Sequence, residues 1–401
     1  MAAWPTTPWT EGSPTLGDTD LRHVPFCLAS VCTQWRTTVL QTPELWSTIY
    51  LTDHTLHDSV AYLDVCLDRS AQWPLDIVVD FSHAGPLSNG EAMLIWNRIS
   101  SHGERWRRCH FAFTITPEIS WDKWPESSMC LEELVVVARI LESHEIPSKE
   151  DDEQRDRRLP VAPRIRRLSL NNIISPSNSF HSLEYLSICL RGNKCGILWD
   201  ILSQAPLLRK VRIFWPWEQS RLEGPPGQTI TLPNLQYLEI YGHTARDFDA
   251  YAEKLNFPAL HTMTVSTYNC YKLGALFHRV APQVHTLILR YEGSSYLSPD
   301  DARAICKLQC LENFTIRGTR MDDSRPGEDM AFGTSTLGGF YGFFDVLHAA
   351  PEMRQLCTLR IVNCSSPREE VNSSFEVDFL DTGKGWTDPR MAPFMNTASP
   401  E

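Results

Sequence analysis

The cysteines and histidines are the residue types most able to do chemistry, and their spacing favours neither a catalytic nor a metal site. Cys306 and Cys310 are four residues apart, but no second cysteine pair or histidine pair lies nearby. The chain contains no nucleophile elbow, phosphate-binding glycine loop or H-E-x-x-H sequence. The possibility of a nucleophilic cysteine–histidine pair, assembled from distant segments of the chain, stays open. We therefore predict that the protein is not an enzyme and has no cofactor or metal.

A column of arginines and aromatic residues is the second chemical feature. Alternation along the predicted strands places one set of side chains on the face opposite the core. These side chains are Arg212, Phe214, Tyr241, Arg290 and Arg317. Tyr and Arg are enriched at binding hot spots, and the guanidinium group suits carboxylates and phosphates. The column predicts a binding site for an acidic or phosphorylated segment of a target protein, with ordinary exposed strand residues as the alternative.

Composition narrows the classes of partner. Of the 401 residues, 37 are basic and 49 acidic, which gives a net charge of −12. We expect no nucleic-acid partner, because binding a phosphate backbone requires clustered Lys and Arg. The first residues lack the basic and apolar regions of a signal peptide, and no apolar run approaches the length of a membrane span. We therefore predict a cytoplasmic or nuclear protein with no membrane partner, whose 12 cysteines are thiols.

The elements that would position the column come from a repeated pattern, apolar-x-x-apolar-x-apolar. Its clearest copies begin at Leu183, Leu208, Leu235, Leu260, Val284 and Leu311, at separations of 25, 27, 25, 24 and 27 residues. A period of this length, with this motif, is typical of leucine-rich repeats. The pattern predicts an α/β fold, a leucine-rich-repeat solenoid shaped as a horseshoe. Its strands would line the concave side and its helices the convex side.

The N-terminal segment has a different pattern. Leu28, Val31, Cys32, Trp35 and Val39 follow helical spacing, which predicts that they share one face of a single helix. Thr42-Pro43 follows, and Thr42 is expected to cap a new helical turn. The sequence V-C-x-x-W-R, followed by P-x-L-W, resembles the second half of an F-box, in the version found in large fungal families of F-box proteins with leucine-rich repeats.

This resemblance implies a substrate-recognition adaptor of a ubiquitin ligase. The F-box-like module, residues 21–51, would dock on a Skp-type adaptor protein and through it on a cullin ligase, while the repeats hold an unidentified target. The implied adaptor-binding residues are Leu28, Val31, Cys32, Trp35, Leu45 and Trp46.

Alternatives to the ligase link stay open. An F-box usually opens with the sequence L-P-x-E-[IL], and residues 1–20 contain no match to it. A repeat scaffold that binds proteins without any ubiquitin-ligase link is therefore the second hypothesis. On that hypothesis, the apolar side chains of residues 21–51 only cover the end of the repeat array.

The expected domain organisation follows from these patterns. Residues 1–20 are predicted to be disordered, and residues 52–364 to form the repeats. Charged or Gly/Ser-rich insertions interrupt the repeats near 141–163 and 320–339, and residues 365–401 form a polar tail.

Overall fold

The computed structural model of the chain describes most of the predicted repeats. It covers residues 24–52, 59–81, 89–115, 124–140, 159–171, 180–189, 195–214, 228–241, 248–267, 273–280, 283–291, 299–317, 346, 349–350, 356, 358–362 and 376–380. The chain divides into two compact units, Met1–Leu131 with Arg139–Ser148 and Glu132–Ala138 with Lys149–Glu401. The predicted disordered segment 1–20, the insertion 320–339 and residues 141–158 of the other insertion lie outside the described residues.

The first unit alternates helices and parallel strands. Its elements are α1 (Val24–Val31), α2 (Thr33–Leu40), a 3₁₀ helix (Pro43–Trp46), β1 (Thr48–Thr52), α3 (Ser59–Arg69), β2 (Leu75–Phe81), α4 (Asn89–Ser100), a 3₁₀ helix (Gly103–Arg105) and β3 (Trp106–Ile115). Strand β1 pairs with β2, and β2 with β3, all in parallel. The predicted module boundary at residues 51 and 52 falls inside β1, whose whole length pairs with β2.

The single helix predicted across Leu28–Val39 is wrong, because the chain breaks at Cys32. Cys32 is extended, with φ −160° and ψ 172°, and its Sγ accepts a hydrogen bond from the Trp35 backbone N–H at 3.5 Å. This contact caps α2 and satisfies an amide that a helix start would otherwise leave without a partner. The predicted side-chain cap at Thr42 is also absent, since its hydroxyl donates to the Thr38 carbonyl instead. Helical spacing alone could not show which hydrogen-bond partner the Cys32 or the Thr42 side chain would take.

Two buried tryptophans hold helices to the strands that follow them. Trp46 Nε1 donates to the Val39 carbonyl at 2.9 Å, and Trp106 Nε1 donates to the Ile99 carbonyl at 3.1 Å. In both cases the indole lies seven residues after the helix carbonyl that it binds. Each carbonyl also accepts a backbone N–H from the turn, so the indole adds a second hydrogen bond at the helix end. The same device therefore occurs at two helix-to-strand turns of the first unit, α2 to β1 and α4 to β3.

The second unit is a longer run of parallel strands. Its elements are β4 (Glu133–Ile140), β5 (Arg167–Asn171), β6 (Tyr185–Cys189), α5 (Cys195–Gln204), β7 (Lys210–Phe214), β8 (Ile230–Thr231), β9 (Tyr237–Tyr241), a 3₁₀ helix (Ala252–Lys254), β10 (Leu255–Asn256), β11 (Thr262–Thr267), a π-helical turn (Leu276–Val280), β12 (Thr286–Tyr291), α6 (Pro299–Ile305), β13 (Asn313–Arg317), β14 (Thr358–Val362) and β15 (Glu376–Leu380). The main sheet follows chain order, β4-β5-β6-β7-β9-β11-β12-β13-β14, with β15 added antiparallel at its edge. Strands β8 and β10 form a separate parallel pair.

The repeated apolar positions form the core of the second unit. In β9, Leu238 and Ile240 are buried, and in the neighbouring β11 their register partners Met263 and Val265 are buried too. The first residue of the motif, such as Leu235, is buried in the turn that precedes the strand. The α/β class predicted from the motif is confirmed, with fourteen of the described strands paired in parallel within the two units, β8 and β10 included.

Candidate functional site

The described part of the N-terminal module exposes an apolar surface on α1 and α2. Val31 is 65% exposed and Trp35 is 49% exposed, and Val24 and Phe26 are also exposed. The two helices pack together, and the Arg36 guanidinium donates to the Ala29 carbonyl at 3.0 Å across the pair. We call the side chains Val24, Phe26, Val31 and Trp35 the helical patch. Four large apolar side chains exposed within twelve residues are unusual for a surface that nothing covers.

The other predicted adaptor-binding residues are distributed differently. Trp46 is 2% exposed, and its ring packs edge-on against Phe26 with centroids 5.2 Å apart. Leu28 and Leu45 are half-buried, and Cys32 is exposed as the cap of α2. Trp46 therefore holds α2 and Phe26 from inside the unit. Val31, Cys32 and Trp35 are the predicted site residues that the structure leaves open to a partner.

In the second unit, three rows of side chains cross the sheet on the face opposite the apolar core positions. We call them the polar face. The first row is Arg167, Tyr185, Lys210 and Tyr237; the middle row is Ser169, Ser187, Arg212, Glu239 and Thr264; the last row is Cys189, Phe214, Tyr241, Ser266 and Arg290. In each row, neighbours lie on hydrogen-bonded strands, about 4.8 Å apart.

A buried carboxylate, Glu239, is the centre of the polar face. Its side chain is 1% exposed. Arg212 Nε lies 2.6 Å from Glu239 Oε2, and Arg290 Nη1 lies 3.2 Å from Oε1. The hydroxyl of Tyr237 donates to Oε2 at 3.0 Å, and that of Tyr241 donates to Oε1. Two guanidinium groups and two phenol hydroxyls from three strands therefore converge on one carboxylate, an arrangement that a buried charge requires.

Burial and charge both act on the groups around Glu239. Burial lowers the pKa of Arg212, but the Glu239 carboxylate, Tyr185 and Tyr237 together raise it by more, so the net pKa is above its ordinary value. Burial raises the pKa of Tyr237 and of Tyr241, and the carboxylate raises that of Tyr241 further. The two phenols therefore stay protonated at neutral pH and continue to donate their hydrogen bonds to Glu239.

The predicted column is brought together in part. Phe214 and Tyr241 stack with ring centroids 4.1 Å apart, and the Arg290 guanidinium donates to the Tyr241 hydroxyl. Arg212 is buried and directed at Glu239, so its charge is compensated inside the protein. The backbone of Arg317 pairs with that of Arg290 in β13, but its side chain lies outside the described residues.

Several residues of the polar face were not predicted as site residues. Glu239 and Tyr237 complete the buried cluster, and Lys210 and Tyr185 belong to the first row. A signal for the cluster was present, because Tyr237, Glu239 and Tyr241 are spaced by two and must share one strand face. The arginines that meet this face come from other strands, and only the register of the sheet brings them there.

The described parts of the chain contain no group of three or more His, Cys, Asp or Glu residues that could hold a metal ion. Across the same residues, no helix is both long enough and apolar enough to cross a bilayer.

Compared with known proteins, the chain matches no protein-family model and no curated sequence.

Proposed function

We propose that this protein is a substrate-recognition adaptor of a Skp/cullin/F-box type ubiquitin ligase. The module at residues 21–51 would bind a Skp-type adaptor protein, and the repeats, as a leucine-rich-repeat horseshoe, would hold the target. The observation that carries the proposal is the helical patch. Its exposed Val31 and Trp35 lie within the V-C-x-x-W-R segment that resembles an F-box.

The helical patch has the chemistry of an interface centre. Trp is enriched among residues whose truncation costs most in protein–protein binding, and exposed apolar groups on helices suit a helical partner. Trp46, underneath, keeps α2 and Phe26 in place through its hydrogen bond to Val39 and its contact with the Phe26 ring. In this proposal Trp46 positions the patch, whereas Val31 and Trp35 contact the adaptor.

Substitutions in the patch test the proposal when they are paired with matched controls. Trp35→Ala and Val31→Asp should each abolish co-purification with a Skp-type adaptor. Trp73 and Val65 are exposed residues of the same unit, outside the patch. Trp73→Ala and Val65→Asp should therefore leave the complex intact, as should Arg290→Ala in the second unit. Adaptor binding that survives both patch substitutions would overturn the site assignment.

The second hypothesis, a repeat scaffold without a ligase link, predicts a different result. Neither the wild-type chain nor any variant would then bind a Skp-type adaptor, while the polar face would still bind a protein. In either hypothesis, the Glu239 cluster favours a protein-binding role for the polar face. It holds Arg290 and Tyr241 in fixed positions at the half-buried edge of the polar face.

A further inference from the structure

The first row of the polar face alternates cations and aromatic rings. Arg167 Cζ lies 5.3 Å from the centroid of the Tyr185 ring. Lys210 Nζ lies 5.9 Å from the centroid of Tyr185 and 4.5 Å from that of Tyr237. Cation–π contacts at such distances hold a charge over a ring. The row therefore places two cations in fixed positions on β5 and β7, with β6 between them.

The polar face is positive although the whole chain is acidic. From β4 to β12, the described ionisable groups on this face are the cations Arg167, Lys210, Arg212 and Arg290 and the anions Glu133 and Glu239. Four positive and two negative charges give a local balance of +2, against −12 for the chain. Charge of opposite sign from the surroundings favours an acidic partner at this face.

The charged residues of the first and middle rows differ in how readily they can bind a carboxylate of a partner. Arg212 is buried against Glu239, at 2.6 Å. Arg167 is exposed and Lys210 is half-buried, and Arg167 lies 3.7 Å from Glu133 in a partly exposed pair. A partly exposed pair exchanges partners at little cost, whereas a buried pair does not. The first row, rather than Arg212, is therefore the part of the face that can receive a new carboxylate.

We propose that the first row binds an extended acidic segment of the target protein, with carboxylates directed at Arg167 and Lys210. The inference rests on the proposed target-binding role of the repeats and gives the target segment its chemistry. Arg167 and Lys210 are two strands apart, about 10 Å by strand spacing. In a polyproline II segment, residues i and i+3 lie on one side and about 9 Å apart. Acidic side chains three residues apart therefore match the two cations.

A preorganised peptide makes the test specific. The probe is a fluorescein-labelled peptide of four Glu-Pro-Pro repeats, titrated with the full chain and followed by fluorescence anisotropy. The matched peptide of Gln-Pro-Pro repeats has the same backbone preference and no charge. The structure predicts that the Glu peptide binds and the Gln peptide does not, and that added salt weakens the binding.

Variants of the row locate the binding. Arg167→Met and Lys210→Met keep an unbranched apolar side chain and remove the charge, and each should weaken binding about fivefold. Lys210→Arg should bind as the wild type does. The control is Arg279→Met, because Arg279 is 52% exposed and belongs to the π-helical turn rather than to the sheet. Unfolding temperatures of all variants confirm that the differences arise in binding.

Three results would overturn the inference. The first is equal binding of the Glu and Gln peptides, and the second is unchanged binding in both Met variants. The third is equal weakening by Lys210→Arg and Lys210→Met, because the charge would then be irrelevant. If the peptide does not bind but the complex with a Skp-type adaptor forms, only the acidic-segment inference is rejected. If the peptide binds but that complex does not form, only the proposed ligase link is rejected.

Discussion

Replacing Glu239 by Ala should destabilise the second unit by about 3–5 kcal/mol, the cost of leaving a buried charge without its partner. The side chain is 1% exposed, so in the folded protein the carboxylate rather than solvent faces these groups. Its loss leaves the Arg212 guanidinium, 2.6 Å away, without this counter-charge, and the hydroxyls of Tyr237 and Tyr241 without this acceptor. At about 2–4 °C per kcal/mol for a domain of 150–250 residues, the unfolding midpoint should fall by roughly 6–20 °C.

The assay is thermal unfolding followed by circular dichroism, with one control and one rescue. The control is Glu253→Ala, because Glu253 also pairs with an arginine, at 2.9 Å, but is 73% exposed. Its loss should cost at most about 1 kcal/mol. The rescue is Glu239→Leu combined with Arg212→Met, which removes both charges and fills the space with apolar groups. The double variant should be more stable than Glu239→Ala alone.

Two outcomes would refute this reasoning. A loss below about 1 kcal/mol for Glu239→Ala would mean that the carboxylate is solvated in solution, as a surface pair is. Equal stability of Glu239→Ala and of the double variant would mean that the stranded Arg212 charge carries no cost.

The remaining predictions concern the first unit. Gly103→Ala should destabilise it by about 1–3 kcal/mol, because the added Cβ would lie 2.1 Å from Pro125 Cβ in a buried turn. Gly274→Ala is the matched change in the second unit and should be within about 0.5 kcal/mol of wild type, since only the end of a flexible lysine is near; equal losses in thermal unfolding would contradict the packing argument. Iodoacetamide at pH 8 should alkylate exposed Cys27 and spare Cys66, whose pKa burial raises to about 11, so that little thiolate forms. Peptide mass spectrometry measures the two rates, and comparable labelling would contradict the burial of Cys66.

The strands of the second unit were the most predictable part of the fold. In each copy of the motif, the apolar residues of the strand lie on one face, and that face must be the buried one. The structure accordingly buries Leu238 and Ile240 on the core face. The break between α1 and α2 was not predictable from spacing. It depends on the side chain of Cys32 accepting a backbone hydrogen bond, and an uninterrupted helix satisfies the same apolar pattern.

The cluster on the polar face shows a second limit of sequence reasoning. Alternation placed Arg212 and Tyr241 on the correct face, and the same alternation places Glu239 between them. What alternation cannot give is convergence, because Arg212 and Arg290 reach Glu239 from strands on either side. Their meeting depends on register across three repeats of unequal length. The sequence alone therefore could not show that the Arg212 charge is compensated within the protein.

The most direct test of the proposed function is the mass of the chain in solution with a Skp-type adaptor from the same organism. Size-exclusion chromatography with light scattering measures that mass without labels. The account predicts a complex heavier than the 45.8 kDa chain by one adaptor copy, which is lost in Trp35→Ala and retained in Trp73→Ala. Two separate peaks for the wild-type mixture, each at the mass of a free protein, would contradict it.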